Sequence, residues 1–197
     1  MMESAPDRIQ LRIWERLYYL DPARMFDGFM RLFAKWAAKG YAPSEFDGLL
    51  RQDKARWERW QATLFCYGQQ VAVHGRPFFF TQYEAADYDI VCRLGEPGAY
   101  QYVPVQLKEV VPAFLDADMS AQDILDKLGM YRTSGGTTFA IYLNRFQAVG
   151  LDGALSGEPR IGDLWVYGML ADEATPSFGL LGPDIDQPEL YRYEIPA

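Results

Sequence analysis

The sequence contains a single histidine, His74, and two cysteines, Cys66 and Cys92. Four Cys and His ligands are therefore not available, which excludes the usual kind of structural zinc site. A Ser or Cys protease triad would have to use His74, which precedes Gly75-Arg76-Pro77 and is interpreted as a turn residue. The cysteines form no Cys-x-x-Cys motif, and we expect both to be small apolar residues of the core.

Long apolar runs and an excess of positive charge are also missing. No stretch approaches the roughly 18 apolar residues of a membrane span, and residues 1–10 contain no apolar signal region. With the unpaired cysteines, these features predict a cytoplasmic protein that does not enter membranes. The 19 Lys and Arg against 27 Asp and Glu give a net charge of −8. This balance excludes a protein that coats nucleic acid non-specifically, but it allows a local basic patch.

The length and composition are those of an ordinary globular domain. The chain has 197 residues, of which 49% are hydrophobic and 23% charged. No internal repeat or Pro/Gly/Ser-rich linker divides it, so we expect a single domain over residues 1–197. The apolar spacing is helical before Gly75 and typical of strands after it, which indicates an α/β protein.

Capping signals mark the helices of the first part of the chain. Asp21 is expected to cap a helix that has Pro22 at its first position and ends at Gly40. Ser44, with Asp47 in the capping-box position, is expected to begin a long helix that ends near Gly68.

Alternating and β-branched segments predict the strands of the second part. The central elements are expected at Phe78–Phe80, Tyr88–Leu94 and Tyr100–Val110, then a helix from Ser120 and a strand over Thr137–Leu143. Further strands are expected at Leu164–Leu170 and near Tyr191–Ile195, with a Gly/Pro-rich loop between them. Because a helical crossover precedes the fourth strand, that strand should lie parallel to the third. The fold class is therefore α/β with a mixed sheet.

Polar side chains alternate with apolar ones on the second and third strands. Asp89 shares a strand face with Asp87, and Gln106 shares one with Lys108. A tight turn lets these polar faces meet across a hairpin. An acid, an amide oxygen and an ammonium group are the parts of a hydrolytic site for a hard cation, since Mg²⁺ prefers oxygen ligands and a lysine can orient a bound water.

These strands resemble those of the PD-(D/E)XK nuclease superfamily, which has the restriction-endonuclease-like fold. Tyr88-Asp89-Ile90-Val91 is similar to its aspartate strand, and Val105-Gln106-Leu107-Lys108 to the Gln-x-Lys variant of its next strand. Glu58 stands where the helix glutamate of the family would stand. The resemblance covers residues 44–145 and implies an αβββαβ core. It leaves the N-terminal helices over 1–43 and a C-terminal strand extension over 146–197 outside.

The resemblance implies a metal-dependent nuclease that hydrolyses phosphodiester bonds in DNA with Mg²⁺ or Mn²⁺. Asp89, Gln106 and Glu58 would bind the metal, and Lys108 would position the attacking water and stabilise charge on the phosphate. Glu84 is an alternative to Glu58, as is Asp87. A homodimer would suit such an enzyme, because cutting both strands of a duplex usually requires two active sites.

Other features favour a catalytically inactive nuclease-fold protein that binds a protein partner. Gln106 replaces a carboxylate, and the net charge of −8 repels duplex DNA. Pro104 lies in the interior of a strand and would require a bulge. The basic residues of the long helix are interpreted as a solvated face, namely Arg51, Lys54, Arg56 and Arg59. In this interpretation Asp89, Gln106 and Lys108 are simply the wet side of a hairpin.

Overall fold

A seven-stranded mixed sheet accompanied by five α-helices forms the described part of the protein. The computed structural model describes residues 8–85, 88–128, 136–145, 162–170, 177–183 and 188–194. The helices are α1 (Arg8–Trp14), α2 (Pro22–Ala38), α3 (Phe46–Arg51), α4 (Lys54–Gly68) and α5 (Ala121–Leu128). The strands are β1 (Phe78–Ala85), β2 (Tyr88–Leu94), β3 (Gln101–Val110), β4 (Thr138–Leu143), β5 (Leu164–Met169), β6 (Ser177–Gly182) and β7 (Glu189–Glu194). None of these helices is both long and apolar enough to cross a membrane.

The strands lie in the sheet in the order in which they occur in the chain. The pairs β1–β2 and β2–β3 are antiparallel, β3–β4 and β4–β5 are parallel, and β5–β6 and β6–β7 are antiparallel. The predicted parallel pairing of β3 with β4 is confirmed, and α5 is the crossover between them. The α/β class is confirmed as well, with the order α4, β1, β2, β3, α5, β4 at its centre.

Helices cover both faces of the sheet. On one side, called here the α4 face, α2, α3 and α4 pack against a core that includes Ala140 and Tyr142 of β4. The alternate residues Phe139 and Ile141 point to the opposite side, called here the α5 face, where they pack against α5. A smaller cluster around Trp14 of α1 covers the same face over β1 and β2. The α5 face therefore has two covered regions, with β3 passing between them.

The two cysteines lie together in the core on the α4 face. Cys66 of α4 and Cys92 of β2 are free, fully buried thiols whose Sγ atoms are 3.6 Å apart. Burial, followed by the neighbouring Cys92, raises the pKa of the Cys66 thiol. The prediction that both are small apolar core residues is confirmed.

The long helix expected from Ser44 is divided into two, so that expectation was wrong. A short 3₁₀ turn, Pro43–Glu45, leads into α3, and Asp53 then adopts an extended backbone that interrupts the helix. The Asp53 side chain accepts a hydrogen bond from the backbone nitrogen of Arg56 at 3.2 Å and caps α4. Asp47 lies inside α3 and accepts a hydrogen bond from Asn144 instead. In contrast, the Asp21 cap of α2 forms as predicted, with Ala23 as donor at 2.9 Å.

The bulge expected at Pro104 does not form. The β2–β3 pairing runs through Val91–Pro104 to Ile90–Val105 without a register shift. The backbone nitrogen of Leu107 points toward β2. Because backbone nitrogens point alternately to the two sides of a strand, the nitrogen of Pro104, three residues earlier, points toward β4. The β3–β4 ladder begins only at Val105. Proline therefore removes no ladder hydrogen bond at this position.

The described part of the C-terminal extension contains one strand more than expected. The Gly/Pro-rich segment assigned to a loop includes β6, in which Phe178 and Leu180 alternate into the core of the α4 face. The last strand, β7, confirms the strand predicted near Tyr191; the end of that prediction, Ile195, lies outside the described residues, as do residues 146–161 of the extension.

Candidate functional site

The candidate site lies at the open end of the β2–β3 hairpin. Two glycines in the connecting turn have positive φ angles, 98° at Gly95 and 88° at Gly98, which other residues rarely adopt. The turn fixes a register whose last pair is Ile90–Val105. Asp89 and Gln106 are the next residues of the two strands on the side away from the turn. They therefore face each other where the two strands stop pairing.

The carboxylate of Asp89 fills the gap between the two strands. Its Oδ2 accepts hydrogen bonds from Gln106 Nε2 at 2.5 Å and from the backbone nitrogen of Leu107 at 2.8 Å. Because the N–H and C=O of one strand residue point to the same side, the Leu107 carbonyl faces this gap too. Within the described parts of the chain, Asp89 Oδ1 and Gln106 Oε1 accept no hydrogen bond. The structure thus brings Asp89 and Gln106 together on one face, as period-two alternation requires.

Lys108 lies on the same α5 face, two residues after Gln106. It is half-buried and, with Lys127 of α5, lines a cavity of about 190 Å³ whose other walls include Met119 and Ile124. Lys108 makes no hydrogen bond or ion pair with the residues that the structure describes. Two lysines therefore line a cavity on the α5 face, the face to which Asp89 and Gln106 also point.

Glu58 lies in a different layer. It belongs to α4, which packs on the α4 face, whereas Asp89 and Gln106 point to the α5 face. One of its carboxylate oxygens is 3.4 Å from Lys54 Nζ. Of its two alternatives, Asp87 lies outside the described residues, and only the backbone of Glu84, in β1, is described.

The oxygen atoms around Asp89 are of the chemical type that binds a divalent cation. Asp89 Oδ1, Gln106 Oε1 and the Leu107 carbonyl are hard ligands of the type that Mg²⁺ and Mn²⁺ bind. They carry only one negative charge, and no group of three acidic, His or Cys side chains is arranged for a metal in the described residues. These donors suit a weak site in which water supplies most of the ligands.

Arg93, on the Asp89 face of β2, is enclosed by aromatic rings. Its guanidinium carbon lies 4.4 Å from the ring centre of Tyr19, 4.4 Å from that of Tyr100 and 5.2 Å from that of Phe79. These cation–π contacts hold the guanidinium within the protein. Arg93 therefore adds a fixed positive charge on the face to which Asp89 points.

A buried polar cluster on the α4 face has no counterpart in the sequence predictions. The Glu109 carboxylate accepts hydrogen bonds from both Nη atoms of Arg51, from Trp57 Nε1 at 2.9 Å, from Gln61 Nε2 at 3.0 Å and from Asn144 Nδ2 at 3.1 Å. The Glu109 side chain is 12% exposed and that of Arg51 21%. The sequence did contain an indication of this cluster. Strand alternation places Glu109 on the apolar side of β3, where a charged side chain needs hydrogen-bond or ionic partners.

The basic residues of α3 and α4 do not all belong to a solvated face. That prediction is confirmed for Lys54, which is 73% exposed, and for Arg56. It was wrong for Arg51, because the buried carboxylate of Glu109 binds it. Arg59 Nε donates to Gln82 Oε1 at 2.7 Å and joins α4 to β1.

His74 ends a π-helical segment, Gln69–His74, and stacks on Phe78 with ring centres 5.2 Å apart. Burial, followed by the charge of Arg76, lowers the pKa of His74 from its ordinary 6.5.

Because the pKa of His74 is lower in the folded protein, the unfolded chain binds a proton more readily. We therefore expect the free energy of unfolding to fall as the pH drops below 6.5. Urea unfolding between about pH 8 and pH 5 should show a weaker dependence for His74→Gln than for the wild type. Identical pH profiles would contradict this expectation.

No family model, curated protein or solved structure matches this chain.

Proposed function

We propose that this chain is a metal-dependent nuclease of the PD-(D/E)XK type that hydrolyses phosphodiester bonds in DNA with Mg²⁺ or Mn²⁺. The observation that carries the proposal is the meeting of Asp89 and Gln106 where β2 and β3 stop pairing, with Lys108 on the same face. The order and directions of α4, β1, β2, β3, α5 and β4 support it, since they are those implied by the αβββαβ core.

Each residue of the site has a distinct task in this proposal. A bound divalent cation would polarise the phosphate and lower the pKa of a coordinated water. Asp89 would hold the cation through Oδ1, with the oxygen of Gln106 and the carbonyl of Leu107. The hydrogen bonds to Asp89 Oδ2 orient the carboxylate before any ligand arrives. Lys108 would orient the water and offset the charge that develops on the phosphate oxygens.

Lys127 extends this positive region toward α5. It lines the same cavity as Lys108, so a phosphate next to the one being hydrolysed would meet a second ammonium group. This local pair of lysines answers the objection that a chain with a net charge of −8 repels DNA, because charges within a few ångströms outweigh distant, screened ones.

A specific observation also favours the alternative of a catalytically inactive nuclease-fold protein that serves as a binding module. Asp89 Oδ2 already accepts two hydrogen bonds, from Gln106 Nε2 and Leu107 N, so this oxygen is satisfied without a cation. A neutral Gln106 adds no charge to attract a metal. In this alternative the same residues hold the end of the hairpin, and the acidic surface contacts a protein partner.

Cleavage of plasmid, linear, single-stranded and branched DNA with Mg²⁺ or Mn²⁺ tests the proposal. We expect metal-dependent cutting that falls by about 100-fold or more in Asp89→Asn and in Lys108→Ala. Asp89→Asn keeps an oxygen that can accept the Leu107 hydrogen bond while removing the charge. Lys39→Ala, at the exposed end of α2, is the matched control and should cut like the wild type. Glu58→Gln, measured beside them, shows whether the helix glutamate takes part.

Two outcomes would contradict the nuclease. Cutting that survives both Asp89→Asn and Lys108→Ala would mean that these residues do not catalyse it. No cutting of any of the four substrates by a folded wild-type protein, with no Mg²⁺-dependent rise in the unfolding temperature, would favour the binding module.

A further inference from the structure

A second cavity, of about 520 Å³, lies on the α4 face at the carboxyl ends of β4 and β5. Its walls include the rings of Phe33, Phe46 and Trp60 from the helices and that of Tyr142 from β4, and we call it the aromatic cavity. Its volume falls within the roughly 300–1,000 Å³ of small-molecule sites. Ligands of open α/β sheets bind outside the carboxyl ends of parallel strands, which is where this cavity lies.

The rings of the aromatic cavity form a continuous wall. Phe33 stacks on Phe46 with ring centres 5.1 Å apart, and its edge-on contact with Trp60 has ring centres 5.3 Å apart. Aromatic faces bear negative potential and attract cations. The protein makes this kind of contact in the neighbouring cluster, where the guanidinium of Arg51 lies 4.0 Å from the ring centre of Trp57.

Asp47 gives this cavity an unbalanced negative charge. It accepts a hydrogen bond from Asn144 Nδ2 at 3.0 Å, and the same nitrogen donates to Glu109. Arg51 balances the charge of Glu109, whereas no cation contacts Asp47 among the described residues. The neighbouring Tyr142 responds to this charge, because burial first, and then Asp47 and Glu109, raises the pKa of its hydroxyl.

The other charged residue of the cavity, Arg145, has hydrogen-bond partners of its own. Its Nη1 donates to the backbone carbonyls of Asp116 at 3.0 Å and Ala117 at 3.3 Å, in the loop between β3 and α5. The net charge of −8 also favours the approach of cations over anions. Ring faces, a carboxylate that no described cation contacts and the overall charge thus select the same kind of ligand.

We propose that the aromatic cavity binds a small organic cation with a flat apolar body. The ammonium group pairs with Asp47, and the apolar body lies against Phe33, Phe46 and Trp60. The cavity and the Asp89 site lie on opposite faces of the sheet, so this binding does not depend on the nuclease proposal.

Three indole compounds that differ in charge test this inference by isothermal titration of the full chain. Tryptamine is a cation, tryptophol is its neutral counterpart and indolepropionate is an anion. We expect tryptamine to bind at least about tenfold more tightly than tryptophol, which corresponds to about 1.4 kcal/mol. In Asp47→Asn this preference should disappear while tryptophol binds as before, because the substitution keeps an oxygen for Asn144. Asp27→Asn removes the same charge from an exposed position of α2 and should keep the preference.

Four results would overturn the proposal: equal affinities for tryptamine and tryptophol, a preference that persists in Asp47→Asn, tighter binding of indolepropionate, or no binding of any of the three. Tighter binding of the anion would assign the recognition to Arg145 instead. The circular dichroism spectrum and unfolding temperature of Asp47→Asn verify that a lost preference is not a lost fold.

Discussion

Replacing Glu109 by leucine is expected to lower the free energy of unfolding by about 3–5 kcal/mol, because it leaves the partly buried guanidinium of Arg51, whose side chain is 21% exposed, without its counter-ion. Trp57 Nε1 and Gln61 Nε2 lose their acceptor in the same step. Leucine is close in size to glutamate, so the change removes the charge and hydrogen bonds more than the packing. Urea unfolding followed by circular dichroism measures the effect.

The double variant Arg51→Met/Glu109→Leu separates the loss of the ion pair from the loss of the other hydrogen bonds. Removing both charges leaves no unpaired ion, so we expect the double variant to be more stable than Glu109→Leu alone, with a coupling of about 1–3 kcal/mol. If Glu109→Leu unfolds like the wild type, or if the two substitutions simply add, the cluster does not stabilise the fold as described.

Phe26→Ala is expected to cost a similar amount, about 3–5 kcal/mol, because it opens a cavity where α2 meets α4. Phe26 is fully buried, and its ring centre lies 5.5 Å from that of Trp60 and 5.4 Å from that of Tyr67. If the N-terminal helices belong to the same cooperative unit as the sheet, fluorescence and circular dichroism should report one transition, shifted to lower urea.

Phe114→Ala is the matched control for this prediction. Phe114 is 81% exposed in the loop between β3 and α5, so the same substitution should change the stability by less than about 0.5 kcal/mol. Equal effects of the two substitutions, or a separate early transition of the N-terminal helices in Phe26→Ala, would contradict the packing of α2 and α4 in one core with the sheet.

Local sequence patterns were sufficient for six of the seven described strands and for the hairpin site. The strand predicted over Tyr88–Leu94 has those bounds in the structure. Period-two alternation alone placed Gln106 and Lys108 on one side of β3. The facing of Asp89 and Gln106 followed from a short turn, since a hairpin leaves little freedom of register. Contacts between neighbours in sequence are the ones that such patterns report.

Contacts between distant segments were the ones that the sequence could not provide. The partners of Glu109 come from α3, α4 and the residue after β4, and no spacing rule joins them. Asp47 has the spacing of a capping box with Ser44, yet it bonds to Asn144, 97 positions later. The strand β6 was missed because its glycines mark a loop by composition, although burial of Phe178 and Leu180 outweighs that preference.

The agreement between strand order in the chain and strand order in the sheet has a consequence during synthesis. Each strand leaves the ribosome when the strand it will pair with has already emerged, so the sheet can grow from β1 by addition at one edge. A nascent chain that has reached Leu143 contains the five described helices and the first four strands. Until β5 follows, the backbone of β4 is an open edge that another nascent chain could join. The edge of β3 stays open for longer still, because β4 begins only at Thr138, after the loop and helix that follow Val110.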